Sequence, residues 1–379
     1  MQQQQQQRRS ARLVLRGKVN SDSDRDNSDY DDDDDDEYRH HDDYDQKDDN
    51  VEGFNDPAYR ATLRLNYINF RHAQKKLPHT VAAYVGQMAS TLSEMPEPSP
   101  ESVAKVIYEL NELNLRDLNE SGLKGVLKIH FFRQDRELPF KRHSYIRRMR
   151  LPRHLLPSNA GVADVPAFTL SRPRPDLTYG YPDRAFTMNQ RSILSRLHDQ
   201  IPRYAQVTYD IWFPFFAVEF KAVPELAPRG SLWVAANQCA TTSAACIRAI
   251  DQLDMRLGDA GYNKHIPNLC YSLALDHNLA QLYVSWGEIK KTRPAYYFQL
   301  VDSFSLLNPE QLIRLHRWMT AIFDWGYGER LSTIRLAVDY IQQAEEQKAG
   351  QQKVASGAAK SRRPSPESSS PEWKRRRLR

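Results

Sequence analysis

Cysteine is scarce: Cys239, Cys246 and Cys270 are the only three in 379 residues. Three thiols cannot build a disulfide framework or a Cys-only zinc site, which points to a reducing, intracellular setting. Long apolar runs are missing too. No stretch approaches the roughly 18 apolar residues that a membrane-spanning helix requires. The chain starts with Met1, six glutamines and Arg8-Arg9, without the apolar segment that heads a secreted chain. Catalytic signatures are equally sparse. The 11 histidines contain no His-Glu-x-x-His and no zinc spacing, and no Gly-x-Ser-x-Gly elbow occurs. Zinc-hydrolase and serine-hydrolase classes therefore have no support.

The charge that is present is segregated. Lys plus Arg (53) against Asp plus Glu (48) leaves only +5. Residues 1–20 hold five cations and no carboxylate, whereas residues 21–50 hold sixteen carboxylates and three cations. The last 27 residues hold nine cations and two carboxylates. A Gln tract followed by an Asp run repels itself and buries too little apolar surface to offset its ordering entropy. Residues 1–50 are thus expected to form a disordered tail. It either solubilises the chain or mimics nucleic acid and shields a basic groove. Residues 348–379, rich in Gln, Ala, Ser and Pro, form a second expected tail. Its clusters Lys360-Ser-Arg-Arg363 and Lys374–Arg379 suit nuclear import receptors, so the expected localisation is nuclear, with no membrane partner.

Between the tails the pattern is that of a folded domain. Residues 51–100 read as a partly ordered lead-in that ends in the linker Glu94-Met-Pro-Glu-Pro-Ser-Pro100. Ser99-Pro100-Glu101 then starts a helix over 101–114, with Val103, Val106, Ile107, Leu110 and Leu113 on one side. Pro175–Tyr181 reads as a strand, Asn189–Gln200 as a short helix, and Val207–Ala222 as a strongly β-prone segment. The Ala-rich stretch Leu232–Leu257 predicts a long helix able to lie close on a sheet. Leu269–Leu275 and Ala280–Trp286 predict a hairpin turned by Asp276-His277-Asn278, and Tyr296–Leu306 another strand. Asn308-Pro309-Glu310 caps a helix to about Phe323. Gly326-Tyr-Gly328 is expected to break it before a last helix to about Glu346. Residues 101–347 are therefore expected to be one α/β domain, a mixed central sheet flanked by helices.

Side chains alternate faces along a strand. In Ile211–Ala222 the even positions Trp212, Phe216, Val218, Phe220 and Ala222 are all apolar. The odd positions begin apolar (Phe213, Phe215, Ala217) and end with Glu219 and Lys221. Burying such charges costs several kcal/mol each unless they are paired or bound to something. One reading is an ion pair at a sheet edge; the other is a site. Asp176 stands at the start of another strand. Were the two strands neighbours, Asp176 and Glu219 could share a Mg²⁺ ion completed by waters. Lys221 would then hold an attacking water beside it and stabilise negative charge developing on a phosphate. The basic stretch 133–153, with eight cations interleaved by Phe140 and Tyr145, would suit a phosphate-tracking surface on nucleic acid. Cys239 and Cys246, two helical turns apart, are expected to be buried small hydrophobes.

Pro175-Asp176, followed 43 residues later by Glu219-Phe220-Lys221, resembles the PD-(D/E)XK signature of restriction-endonuclease-like nucleases. The stretch from about 100 to 345 also resembles a fungal family of uncharacterised domains. The features that carry that likeness are Pro-Asp-Leu-Thr-Tyr-Gly-Tyr (175–181), Phe-Phe-Ala-Val-Glu-Phe-Lys-Ala (215–222), Asn237-Gln238 and Trp325-Gly326. The nuclease resemblance implies a restriction-endonuclease-like fold with Asp176, Glu219, Lys221 and Gln238 as catalytic residues. It implies Asp176 and Glu219 as Mg²⁺ ligands and nucleic acid as substrate. It also makes Glu109 and Glu112, on the preceding helix, candidates for a further acid. The gap of 43 is long for that fold, and Asp183, 36 residues before Glu219, is a rival to Asp176. The alternative implied is a catalytically inactive module of the same fold that binds nucleic acid or a protein partner.

Overall fold

The computed structural model describes residues 53–361 except 116–119, 131–144, 148–149, 160–168, 201–205, 209–210, 222–230, 263–265 and 291–292. The expectations for residues 1–50 and for Lys374–Arg379 lie outside the described residues, as does most of the basic stretch 133–153.

The domain starts before residue 101. Helix α1 (Tyr59–Leu65) leads into strand β1 (Ile68–Arg71), and helix α2 (His79–Thr91) follows. β1 pairs in parallel with Tyr296–Gln299, far along the chain. The segment 51–100, expected as lead-in and linker, is therefore corrected: it supplies an edge strand of the sheet. Next come α3 (Pro100–Leu115), α4 (Glu120–His130), β2 (Tyr145–Arg147), β3 (Leu177–Tyr181) and α5 (Met188–Gln200). Val207–Ala222, expected as one strand, is two: β4 (Gln206–Thr208) and β5 (Ile211–Phe220), paired antiparallel. The remainder is α6 (Leu232–Ala260), β6 (Leu269–Leu275), β7 (Leu279–Lys290), β8 (Arg293–Ser305), α7 (Pro309–Trp325) and α8 (Leu331–Ser361). Residues 348–361, expected within the tail, thus continue the last helix.

The eight strands form one mixed sheet in the order β1-β8-β7-β6-β5-β3-β2, with β4 beside β5. β1–β8 and β5–β6 are parallel; the other pairs are antiparallel. The mixed α/β architecture is the one expected. The β6–β7 hairpin follows its turn chemistry, since Asp276 Oδ1 accepts from the amides of Asn278 and Leu279 at 2.8 Å each. α6 has a Ser231 cap and ends at Gly261, whose φ of 87° is left-handed.

Alternation along β5 assigns its faces. Ala217 pairs with Ser272 on β6, and the Ser272 hydroxyl meets Ser243 on α6 at 2.5 Å. That face carries α6, whose small residues allow close approach. Phe216, one residue back, stacks on Tyr179 and meets Phe323 of α7 edge-on. The opposite face therefore carries α7.

The strict alternation expected for β5 fails at its start. Phe213 has a φ of 45°, and the register slips between Tyr179 and Tyr181. Phe215 consequently packs on Trp325 and Tyr327, rings from the same helix end that Phe216 touches through Phe323. Arg330, fully buried, donates from Nη1 to the carbonyl of Phe213 at 2.9 Å and to the Tyr181 hydroxyl at 2.9 Å. Its guanidinium also lies over the rings of Tyr181, Phe215 and Trp325.

The break expected at Gly326-Tyr-Gly328 is also corrected. Gly326–Arg330 form a π-helical turn that joins α7 directly to α8. The glycine serves packing instead: a Cβ at Gly326 would lie 2.2–2.6 Å from the Phe215 ring. Gly180 has a similar reason, since a Cβ there would sit 2.3 Å from Ile211 Cγ2. Residues that carried the likeness to the uncharacterised family, Tyr181, Phe215, Trp325 and Gly326, thus meet in one aromatic cluster rather than around the acids.

Candidate active site

β3 and β5 are neighbours, and Leu177 pairs with Val218. One position further out, Asp176 stands opposite Glu219, where antiparallel partners hold their Cβ atoms about 4.5–5.5 Å apart on one face. That face is the α6 side, because Thr178 pairs with Ala217. Lys221, two residues beyond Glu219, returns to the same side. Its ammonium lies 3.8 Å from Glu219 Oε2. The condition set by the sequence, that the two strands be adjacent, is met, and Asp176, Glu219 and Lys221 converge.

The group is buried. Glu219 is 1% exposed and Asp176 7%. Asp176 is held on two sides: its Oδ2 accepts from the Phe220 amide at 2.8 Å, and its Oδ1 meets Lys124 Nζ at 2.5 Å. Lys124 belongs to α4 and also lies 5.7 Å from the centre of the Phe220 ring. No sequence signal singled out this lysine. On an amphipathic helix it has the look of a solvated cation, and only the tertiary fold turns it onto Asp176.

α6 closes the group from above. Cys239 donates from Sγ to the Leu273 carbonyl at 3.7 Å. Burial, and then the nearby Glu219 charge, push its thiol well above the ordinary range, so it stays protonated. Cys239 and Cys246 are buried, as expected. Gln238 is on the first turns of the same helix. Its Oε1 is buried and has no hydrogen-bond partner among the described residues. Its neighbour Asn237 is structural: it accepts from Arg60 Nε at 3.0 Å and donates to the Phe54 carbonyl at 3.1 Å.

The other candidates lie elsewhere. Asp183 falls beyond the far end of β3, roughly 20 Å from Asp176 at strand spacing. It accepts from Trp212 Nε1 at 2.5 Å inside a single 3₁₀ turn. Glu109, on α3, pairs with Lys105 of its own helix at 3.8 Å. The helix that reaches the acid pair contributes a cation rather than a further acid. No cluster of three or more His, Cys, Asp or Glu suited to a metal occurs among the described residues. No helix among them is long and apolar enough to cross a membrane.

Fold and site together define a class: an α/β domain whose mixed sheet presents two carboxylates and a lysine at the end of a buried strand. Residues 111–338 match the domain of unknown function DUF7924, more than half of the chain, and the chain belongs to that family. No curated protein matches it.

Proposed function

We propose that this domain is a PD-(D/E)XK-like nuclease module that hydrolyses phosphodiester bonds in nucleic acid with a divalent metal. The observation that carries this reading is the β3–β5 register, with Asp176 opposite Glu219 and Lys221 3.8 Å from Glu219. The donor set fits Mg²⁺, which is commonly bound through one or two carboxylates and keeps several waters or phosphate oxygens. Asp176 and Glu219 would hold it. Bound there, Mg²⁺ would supply Lewis-acid stabilisation of a phosphoryl oxygen. Lys221 would orient the attacking water and offset charge on the phosphate, and the buried Gln238 Oε1 would accept one hydrogen bond at the α6 side. Lys124 now occupies Asp176 Oδ1, so metal entry requires α4 to release it.

A second reading rests on that same ion pair and on the burial of Glu219. Here Lys124 stands where a cation would sit, and the module binds nucleic acid or a protein partner without cleaving it. Nuclear localisation through Lys360–Arg363 and Lys374–Arg379 belongs to either reading.

The deciding experiment is cleavage of DNA and RNA with Mg²⁺ or Mn²⁺ by wild type, Glu219→Ala and Lys221→Ala. Cleavage lost in both variants supports hydrolysis. Binding without cleavage by wild type supports the second reading. Equal cleavage by all three identifies a contaminant and removes the assignment.

A further inference from the structure

A cavity of about 990 Å³ opens at the other end of α6, between that helix, the start of α2 and the ends of β6, β7 and β8. Asp251, on α6, is twelve residues from Cys239, about 18 Å along the helix axis. The cavity is therefore separate from the acid pair, and nothing in its reading depends on the nuclease proposal.

Its polar wall is rich in acceptors. Asp251, Asp254 and Glu288 supply carboxylates, and Asn268 a carboxamide. Asn268 donates from Nδ2 to Asp251 Oδ1, which leaves its own Oδ1 buried and without a partner among the described residues. Among the described residues Asp251 Oδ2 receives only the Tyr296 hydroxyl, at a long 3.4 Å. The two cations in the wall keep their charge, and Arg248 acts on Asp251, but both donate to other acceptors. Arg248 donates to the Leu156 carbonyl at 2.6 Å, and Arg293 to the Tyr67 hydroxyl at 2.6 Å. Among the described residues no ammonium or guanidinium forms an ion pair with Asp251. Burial is the main cause that pushes its carboxyl up to about 6; neighbouring Asp254 adds to this, and Arg248 opposes it.

A largely buried carboxylate beside an orphan carbonyl oxygen is stabilised by a ligand that brings positive charge and several N–H donors. The rest of the wall suits a flat cation. Tyr67, Tyr84 and Tyr296 line it with aromatic rings, the Tyr67 ring already under the Arg293 guanidinium, and Met255 and Pro267 add apolar surface. A planar amidinium or guanidinium presents parallel N–H groups that match a carboxylate fork.

We propose that this cavity binds an amidinium- or guanidinium-bearing ligand, with Asp251 as its counter-ion. The group can come from a free small molecule or from an arginine side chain of a peptide, and the chemistry is the same.

The test is calorimetric titration of the full chain with benzamidinium, its neutral isostere benzamide, and N-acetyl-arginine amide. At least one of the two cations should bind, at least about tenfold more tightly than benzamide. Asp251→Asn should weaken the cations by at least about tenfold and remove their preference over benzamide. Thr80→Trp, a bulky change at an exposed rim position, should weaken all ligands and serves as a second variant. A preference for benzamidinium would identify an aromatic small molecule as the source, and a preference for the arginine amide a peptide side chain; both support the site. Benzamide binding as tightly as the better of the two cations, no effect of Asp251→Asn, or no binding of either cation overturns the proposal.

Discussion

The ammonium of Lys124 sits 2.5 Å from Oδ1 of Asp176 and joins helix α4 to the strand end that carries the acid pair. Through this contact the protein itself supplies the counter-charge of Asp176, and under the proposed function a metal ion would have to displace a partly buried ammonium.

Lys124→Ala therefore has two separable effects. Without metal it leaves a buried carboxylate short of its cation and lowers stability by about 1–3 kcal/mol. With millimolar Mg²⁺ the variant should regain stability by mass action, and wild type should gain less. Thermal unfolding of both proteins with and without Mg²⁺ checks this. A variant that metal does not rescue counts against carboxylate coordination at Asp176.

Gly326 and Gly328 share one π-helical turn and predict opposite outcomes. A methyl at Gly326 drives into the Phe215 ring, whereas one at Gly328 meets nothing within 4 Å. Gly326→Ala should cost about 1–3 kcal/mol through overpacking. Gly328→Ala should be neutral or stabilise by about 0.4–1 kcal/mol by restricting the unfolded chain. Urea denaturation of the pair reads the difference directly.

Arg330 ties the Phe213 and Pro214 carbonyls and the Tyr181 hydroxyl into one node. Arg330→Lys keeps the charge but loses the planar fork, so it should cost about 2–4 kcal/mol and be no milder than Arg330→Met. Chemical unfolding of both variants tests this, and the near-ultraviolet circular dichroism of the surrounding tyrosines and Trp325 should change with it.

Asp251 predicts a pH effect of defined sign. Its carboxyl rises from 3.8 to about 6 on folding, mainly through burial. An acid with a raised folded pKa holds its proton more tightly in the fold. The stability it contributes is complete below about pH 4 and is lost as pH climbs towards 6. At neutral pH the ionised group costs about 1–3 kcal/mol, with the carboxylate's partial opening to the cavity reducing the upper figure. Asp251→Asn should therefore be more stable than wild type at pH 7, and the gap should shrink as pH falls through this window. Melting curves at several pH values compare the two.

The sheet centre was readable in the sequence because its elements announce themselves locally. The aromatic run of β5, the Asp276-His277-Asn278 turn and the small residues of α6 each impose their structure over a few residues. β1 was not readable. Its four residues, Ile-Asn-Phe-Arg, show no decisive alternation, and they are a strand only because Tyr296–Gln299 lies beside them. Gly326 and Gly328 read as a break because glycine weakens helices, but a π-helical turn carries the chain through them, and the Phe215 ring accounts for the glycine at 326. At the candidate site, Asp176, Glu219 and Lys221 were legible from strand alternation and motif spacing. Lys124 was not, since a cation on an amphipathic helix carries no mark of its partner. The cavity at Asp251 was invisible for the same reason: its walls run from Tyr67 to Tyr296 and meet only after folding.

The two borders of the sheet are short, four residues in β1 and three in β2 among the described residues. At β1 the guanidinium of Arg71 also lies over the rings of Trp286 and Tyr297. A four-residue margin at β1 offers little ladder of its own for a foreign strand to extend. A macromolecule that engages the domain at β1 should then grip it by side chains, so that its recognition is sensitive to point substitution and indifferent to backbone-mimicking peptides.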